Sequence, residues 1–379
     1  MKVLIVVGRL GLGGAERQAL ALARGLGDLG HQARVAVFRD GGAMQADAVA
    51  TGVAMEVLSG SNAAARIASL RGLIARERPD VVHGYLTAGN LACLCARTLT
   101  RRPLLVWGIR ASDMRMENYG IKWRWAAWLE RRLMPLADLL IVNSQSGLEV
   151  LRAGGVPDRR IVVIENGIDL ARFAPHQHGI DHRRNTARVA WNCRDDTAVI
   201  GHVARIDPMK DHSGFLQALA LLRHQRTGWK AVLVAVGSQE QRDRLTAEAA
   251  SLGLGEDVVV IPAAADIASL YPGFDVACSS SAYGEGFSNV IAEALASGLP
   301  VVATDVGDAR RIVGPCGRIV PPGAPEILAD ALSDVLDRRD VLSGMAREQI
   351  APYDQKRLAR RTVEALEQAL RRWDRQVGA

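Results

Sequence analysis

A chain of 379 residues exceeds what one ordinary core organises and fits two domains of common size. A hydrophobic fraction of 49% with 23% charged residues excludes a disordered or fibrous chain, and no apolar run approaches the roughly 20 residues that cross a bilayer. The net charge of +6 favours anionic partners, but no basic region is interleaved with aromatics in the way single-stranded nucleic acid requires, so nucleic acid is not expected.

The opening run Lys2–Val7 is strand-like and is broken at once by Gly8 and Arg9, which argues against a leader or a membrane span. Short aliphatic or β-branched runs recur at 33–38, 53–57, 81–82, 104–107 and 139–143, with amphipathic stretches such as 15–29 and 66–78 between them. Such alternation implies a parallel sheet covered on both faces. After the first run, Gly11-Leu-Gly13-Gly14-Ala-Glu16 opens a helix, so a dinucleotide site has to be weighed. Glu16 stands where close strand packing wants Gly or Ala, and its carboxylate would crowd a pyrophosphate; Asp40 is the one feature that favours such a site.

His83 follows the fourth run and reads either as a site residue or as a core histidine. Five cysteines, at 93, 95, 193, 278 and 316, are odd in number and scattered, as in a cytoplasmic chain with reduced thiols; Cys93 and Cys95 read as packing residues. Val106-Trp-Gly-Ile-Arg110-Ala-Ser112-Asp113 ends another strand, and Arg110 reads either as a ligand-binding cation or as the partner of Asp113. The segment 121–135 holds three of the seven tryptophans among basic residues. On a helix Trp125, Trp128 and Leu129 share a face, which suits a core stripe or an interfacial surface on an anionic membrane.

From 174 to 196 the periodicity gives way to Pro175, three histidines and many charges, as in a linker. A second α/β series then runs through 198–203, 231–236, 258–261, 276–278, 301–304 and 318–320, and a long basic helical stretch at 355–375 closes the chain. The expected organisation is two tandem Rossmann-like domains, 1–175 and 197–354, joined by a linker at 176–196, with the helix at about 355–379 returning to the first.

Two segments of the second series carry chemistry. In Gly201-His-Val-Ala-Arg205-Ile-Asp-Pro-Met-Lys210-Asp-His, a strand delivers Arg205 and Lys210 to the loop at its end, and Asp211 or Ser213 can cap the next helix. Two cations at such an edge can neutralise a diphosphate without a metal. In Tyr283-Gly-Glu-Gly-Phe-Ser-Asn-Val-Ile-Ala-Glu293, Gly284 and Gly286 permit a tight loop and a helix starts near Ser288. Its free N–H groups would meet phosphate at the carboxyl edge of the sheet. Glu285 before the helix and Glu293 within it would repel phosphate, so their use is to accept hydrogen bonds from flanking hydroxyls.

Taken together, Glu285-x7-Glu293, the Arg205/Lys210 pair, Asn166-Gly-Ile-Asp169 and Gly13-Gly-Ala-Glu16 make the sequence resemble the family 4 retaining glycosyltransferases of the GT-B fold over essentially the whole chain. The resemblance implies an α/β protein with two Rossmann-like domains facing across a cleft, a nucleotide-diphosphate sugar donor, and transfer with retention to a glycan or lipid-linked acceptor without metal or other cofactor. It implies that Arg205 and Lys210 meet the donor diphosphate and Glu293 the ribose. Glu285, Gly286, Phe287, Ser288 and Asn289 would meet the transferred sugar and phosphates, and Pro262 to Asp266 the base. Gly13 and Gly14 would border the donor phosphates, with Glu16, His83, Arg110 and Asn166 toward acceptor or sugar. Many members of that family carry a histidine near Arg110, so the chain looks like a subgroup with a Trp-Gly-Ile-Arg motif and names no histidine base. The implied setting is polysaccharide or glycolipid synthesis at the inner face of the cell membrane. A nucleotide-sugar epimerase of the same fold, or a non-catalytic binding protein, are the rival expectations.

Overall fold

The computed structural model describes residues 1–97, 103–175, 180–263 and 266–377, and the chain divides into two compact units. Unit 1 comprises Met1–Gly167 and the C-terminal segment from Gln355; unit 2 is Ile168–Asp354.

Seven parallel strands make the sheet of unit 1: β1 (Lys2–Val7), β2 (Gln32–Val37), β3 (Ala54–Val57), β4 (Val81–Tyr85), β5 (Leu104–Ile109), β6 (Leu139–Val142) and β7 (Ile161–Val163). Their spatial order is β3-β2-β1-β4-β5-β6-β7. The central strands β1, β4 and β5 are mostly apolar and buried on both faces, as a sheet covered by helices on each side requires. The three-residue β7 is a strand that periodicity missed. The helix Gly14–Asp28 lies on one face, and the C-terminal helix Gln355–Val377 packs on it. The two come so close at Gly25 that an added Cβ would stand 2.5 Å from the Cβ of Ala359. Leu358, Ala365, Leu366 and Ala369 complete the core there, and Arg361 pairs with Glu165 while donating to the carbonyl of Val163 at 2.7 Å.

Unit 2 repeats the plan with six parallel strands: β8 (Ala198–Arg205), β9 (Trp229–Val236), β10 (Val258–Pro262), β11 (Val276–Ser279), β12 (Val301–Thr304) and β13 (Gly317–Val320), ordered β10-β9-β8-β11-β12-β13. In both sheets the order reverses beside the first strand, between β1 and β4 and between β8 and β11. Each reversal leaves a crevice at the carboxyl ends of the strands.

Three expectations are corrected. The stretch 176–196 is no simple linker: within it lies the helix Ile180–Ala190, which belongs to unit 2, and Trp191 just beyond stacks on Phe274 with ring centroids 5.2 Å apart. The helix Ile121–Leu133 has no buried residue, so its tryptophans are not core: Trp123 and Trp125 are each 62% exposed and Trp128 51%. Of the two neighbouring cysteines only Cys93 is buried; Cys95 is exposed. Two histidines of the same supposed linker, His176 and His178, lie outside the described residues.

The helix Ile180–Ala190 is held by a buried charge cluster. Asp275 accepts from Arg184 at 2.7 Å, from Arg188 at 3.1 Å and from the N–H of Val199 at 2.7 Å. Burial alone would raise the Asp275 carboxyl, but these donors hold it below the usual carboxylate range. Because Arg188 is only 6% exposed, neutralising its partner leaves an uncompensated buried cation. Asp275→Asn is therefore expected to destabilise unit 2 by about 3–5 kcal/mol in urea unfolding; a change within experimental error would mean that the cluster is not what holds this helix.

Candidate functional site

In unit 2 the reversal is flanked by the ends of β8 and β11, and the two motif segments leave from those ends. Arg205 is the last residue of β8. Asp207 then accepts from the N–H of Met209 at 3.1 Å and opens the short turn Pro208–Lys210. Asp211, at φ 46°, caps the helix His212–Gln225 by accepting from the N–H of Gly214 at 3.0 Å. Across the crevice, β11 ends at Ser279, and the loop through Gly284, at φ 81°, leads to the helix Asn289–Ala296.

The two loops meet in an ion pair. Lys210 Nζ bonds Glu285 Oε1, and Ser281 Oγ donates to the same oxygen at 2.6 Å. The Ser281 carbonyl in turn accepts from Thr304 Oγ1 at 2.6 Å. Both charged side chains are largely buried, 17% and 12% exposed. Burial would raise the Glu285 carboxyl, but Lys210, then Ser281 and Arg205, outweigh it and keep the group ionised below its ordinary range. Arg205 is half exposed, with Nη2 3.4 Å from Asp207 Oδ2 and 3.6 Å from Met209 Sδ, so its guanidinium stands at the mouth of the crevice.

Behind Lys210 lies a buried layer. His202 Nε2 is 3.0 Å from Ser280 Oγ, which donates to the carbonyl of Lys210 at 2.8 Å; His202 also stacks on Phe215 and meets His212 edge-on. On the far side, Gly307, at φ 63°, lies so close to the loop that a Cβ would stand 2.4 Å from the carbonyl oxygen of Glu285. Next to it, the N–H of Asp308 donates to the carbonyl of Gly286 at 3.0 Å. Ser281, Thr304, Gly307, Asp308 and His202 were not picked out as site residues. Only the positive-φ glycine after a strand left a trace in the sequence.

Other expected donor-site residues divide. Glu293 is 3% exposed and accepts from Tyr271 Oη at 3.1 Å. The ring of Phe287 packs on Tyr353 in the core, so only its backbone can face a ligand. Ser288, the N-cap, and Asn289 are buried at the start of the helix. Pro262 ends β10 and is exposed, whereas Asp266 pairs with Arg172 at 3.1 Å; Ala264 and Ala265 lie outside the described residues. Among the described residues no three His, Cys, Asp or Glu side chains are grouped to hold a metal ion.

In unit 1, Gly13 is the N-cap of the first helix, and the Glu16 carboxylate folds back over it, where a Cβ on Gly13 would meet Glu16 Oε2 at 2.2 Å. Gly14 is the first residue of that helix. At the ends of β4 and β5, the Arg110 guanidinium lies 4.4 Å from the Tyr85 ring centroid and donates to Asn166 Oδ1 at 3.3 Å. It does not pair with Asp113, which instead accepts from the N–H of Arg115. His83 is fully buried against Tyr85, and neither ring nitrogen has a hydrogen-bond partner among the described residues; Tyr85 Oη and Arg110 Nε are likewise buried and unpartnered. Burial, and then the Arg110 cation, hold the His83 imidazole well below its ordinary pKa, so it is neutral.

Residues 12–172 match the family described as Glycosyltransferase Family 4, and residues 183–357 the one described as Glycosyl transferases group 1. Over 290 residues, 72% of this chain and 68% of the relative, the sequence is 32% identical to a GDP-mannose-dependent alpha-mannosyltransferase of Mycobacterium tuberculosis (strain CDC 1551 / Oshkosh). The chain belongs to the group 1 glycosyltransferase family. It is also 28% identical over 261 residues to an MMP alpha-(1->4)-mannosyltransferase of Mycolicibacterium hassiacum, covering 66% of this chain and 59% of that protein. Among the first relatives it spans only 51% to 59% of their lengths. The crystal structure of Anabaena Alr3699/HepE in complex with UDP-glucose superposes with a TM-score of 0.81 at 25% identity, covering 97% of this chain and 100% of the other. Two Rossmann-like units of this kind are the GT-B architecture of the group 1 glycosyltransferases.

Two buried histidines of unit 2 predict that its stability falls in acid. Burial, then the neighbouring Lys210 cation, takes His212 down to about 4, and His202 lies well below its ordinary value. A folded-state pKa below the unfolded one means that the unfolded chain binds protons first, so stability present above 6.5 is lost as the pH falls toward 4. Urea unfolding at a series of pH values should show that loss, and His212→Phe should flatten it; an unaltered slope in the variant would assign the acid sensitivity elsewhere.

Proposed function

We propose that this chain is a glycosyltransferase that takes a sugar from a nucleotide-diphosphate donor bound in unit 2 and passes it to a glycan or lipid-linked acceptor. The observation that carries the reading is the Lys210–Glu285 pair with Arg205 at its mouth, set in the β8/β11 crevice before the helix Asn289–Ala296. Two cations at the end of β8 and a helix that starts after the loop of Glu285 would suit two linked phosphates. The relatives support a nucleotide-sugar donor: one is named for its dependence on GDP-mannose, and one solved structure holds UDP-glucose.

In this mechanism Arg205, Lys210 and the helix end stabilise the charge that develops on the departing diphosphate, without metal or other cofactor. The Glu285 carboxylate, kept ionised by Lys210, accepts a hydroxyl of the transferred sugar. Glu293 is assigned to the ribose, the backbone of Gly286, Phe287, Ser288 and Asn289 to the phosphates, and Pro262 and Asp266 to the base. Attack comes from the face the diphosphate leaves, through an oxocarbenium-like state, and configuration is retained. The diphosphate takes the acceptor proton, and His83, buried and neutral, is not needed as a base. Arg110, His83, Asn166 and Glu16 of unit 1 are assigned to the acceptor or the sugar, and the backbone of Gly13 and Gly14 to the donor phosphates. The setting is the cytoplasmic side of the membrane, in cell-surface polysaccharide or glycolipid synthesis. Among the described residues no helix is long and apolar enough to cross a membrane.

Charge-assisted contacts contribute about 1.5–3 kcal/mol each, so replacing both Arg205 and Lys210 by Ala is expected to lower kcat/KM by about 10² to 10⁴. The assay is donor consumption in the presence of candidate acceptors. Full activity in the double variant would remove the basis of the reading. Separately, thermal shift with GDP, UDP, ADP and dTDP should single out one nucleotide, with no further gain from Mg²⁺. Product NMR should show the donor's anomeric configuration. Conversion of donor alone to an epimer would instead identify an epimerase, and tight binding without turnover a binding protein.

A further inference from the structure

The most unusual surface of unit 1 is the helix Ile121–Leu133. It presents Ile121, Trp125, Trp128 and Leu129 to solvent at 61%, 62%, 51% and 40% exposure, and Trp123 projects from its first turn. At 100° per residue, Ile121, Trp125 and Trp128 form one outward stripe, flanked by Lys122 on one side and by Arg124 and Arg131 on the other. The Trp125 and Trp128 rings meet edge-on at 5.4 Å, and the Arg132 guanidinium lies 5.8 Å from the Trp128 ring centroid. Exposed aromatic rings this dense expose apolar area that a free surface does not retain without a use.

The single acid of the helix faces away from this stripe. Glu130 turns inward, accepting from Asn90 Nδ2 at 2.6 Å and from Thr87 Oγ1 at 2.6 Å. The outward face is therefore apolar with cations along both edges and no carboxylate. Two copies of such a face would repel each other, which argues against self-association and for an anionic, apolar partner. We propose that this helix is a docking surface for an anionic lipid bilayer, its rings entering the headgroup boundary and its cations meeting lipid phosphates.

The anchoring of the helix gives the docking a direction. Asn90, which holds Glu130, also exchanges hydrogen bonds with Gly108 of β5, at 3.3 and 3.4 Å. A Cβ on Gly108 would stand 3.2 Å from His83 Nε2 and 3.4 Å from Arg110 Nε. The docking surface is thus tied through one asparagine to the buried cradle of His83, Tyr85 and Arg110. Resting on the glycosyl-transfer reading, this deepens it: the acceptor is lipid-linked and is met at the bilayer. The docking itself stands on the helix alone, so its test does not depend on turnover.

The experiment is co-sedimentation of the full chain with vesicles of phosphatidylcholine alone and of equimolar phosphatidylcholine and phosphatidylglycerol, with tryptophan emission followed in parallel. The wild-type chain should bind the anionic vesicles, shift its emission to the blue and leave the neutral ones; raised salt should weaken binding. Two variants, Trp125→Ser/Trp128→Ser and Lys122→Glu/Arg124→Glu/Arg131→Glu, should each lower partitioning at least about tenfold. Because the altered side chains are exposed, both variants should keep the wild-type melting temperature and nucleotide response. No wild-type binding, equal binding to both vesicles, unchanged binding by the variants, or a tryptophan-dependent dimer in sedimentation velocity would each overturn the proposal.

Discussion

The ion pair between Lys210 and Glu285 joins two loops 75 residues apart, and most of the unit 2 site is arranged around it. Taking both charges out of water costs several kcal/mol per ion, a cost offset only while the two stay together with further donors such as Ser281. The pair therefore fixes the rotamer of a lysine that would otherwise be free, and an ordered cation loses little entropy when a ligand arrives. Ser280, His202 and the cap at Asp211 hold the lysine's own turn, while Gly307 and Asp308 hold the loop of the glutamate. Electrostatic preorganisation of this type is what stabilisation of a leaving group demands.

Unit 1 is built on a different principle. Its buried polar groups at the ends of β4 and β5 are not satisfied from within: His83, Tyr85 and Arg110 all carry buried polar atoms without partners among the described residues. Each such atom costs about 1–3 kcal/mol. The Arg110 guanidinium lies over the Tyr85 ring and donates to Asn166 instead of forming an ion pair with Asp113.

Much of the fold was legible from the chain. Aliphatic runs buried on both faces of a sheet read the same from either side, so the six strands expected in each half were found within a few residues. The exceptions have physical causes. Strand β7 is three residues long, too short to show a period. The helix Ile180–Ala190 buries Ala187 and, through its salt bridges, Arg188, so its inward face does not look hydrophobic. An apolar stripe on 121–133 was visible, but periodicity reports that a stripe exists, not whether core or solvent lies against it.

The sequence by itself determined the local chemistry: glycines where the backbone turns, cations and carboxylates at the ends of strands, and a helix start at Ser288. Those are properties of neighbouring residues, set by sterics and hydrogen bonding over one or two turns. Only the tertiary structure decided that Lys210 meets Glu285, that Glu293 is buried under Tyr271, that the Phe287 ring serves the core and that Arg110 turns from Asp113 to Tyr85. Each of these depends on which elements lie side by side in the folded unit. That choice comes from burial summed over a whole unit, which no local window of sequence contains.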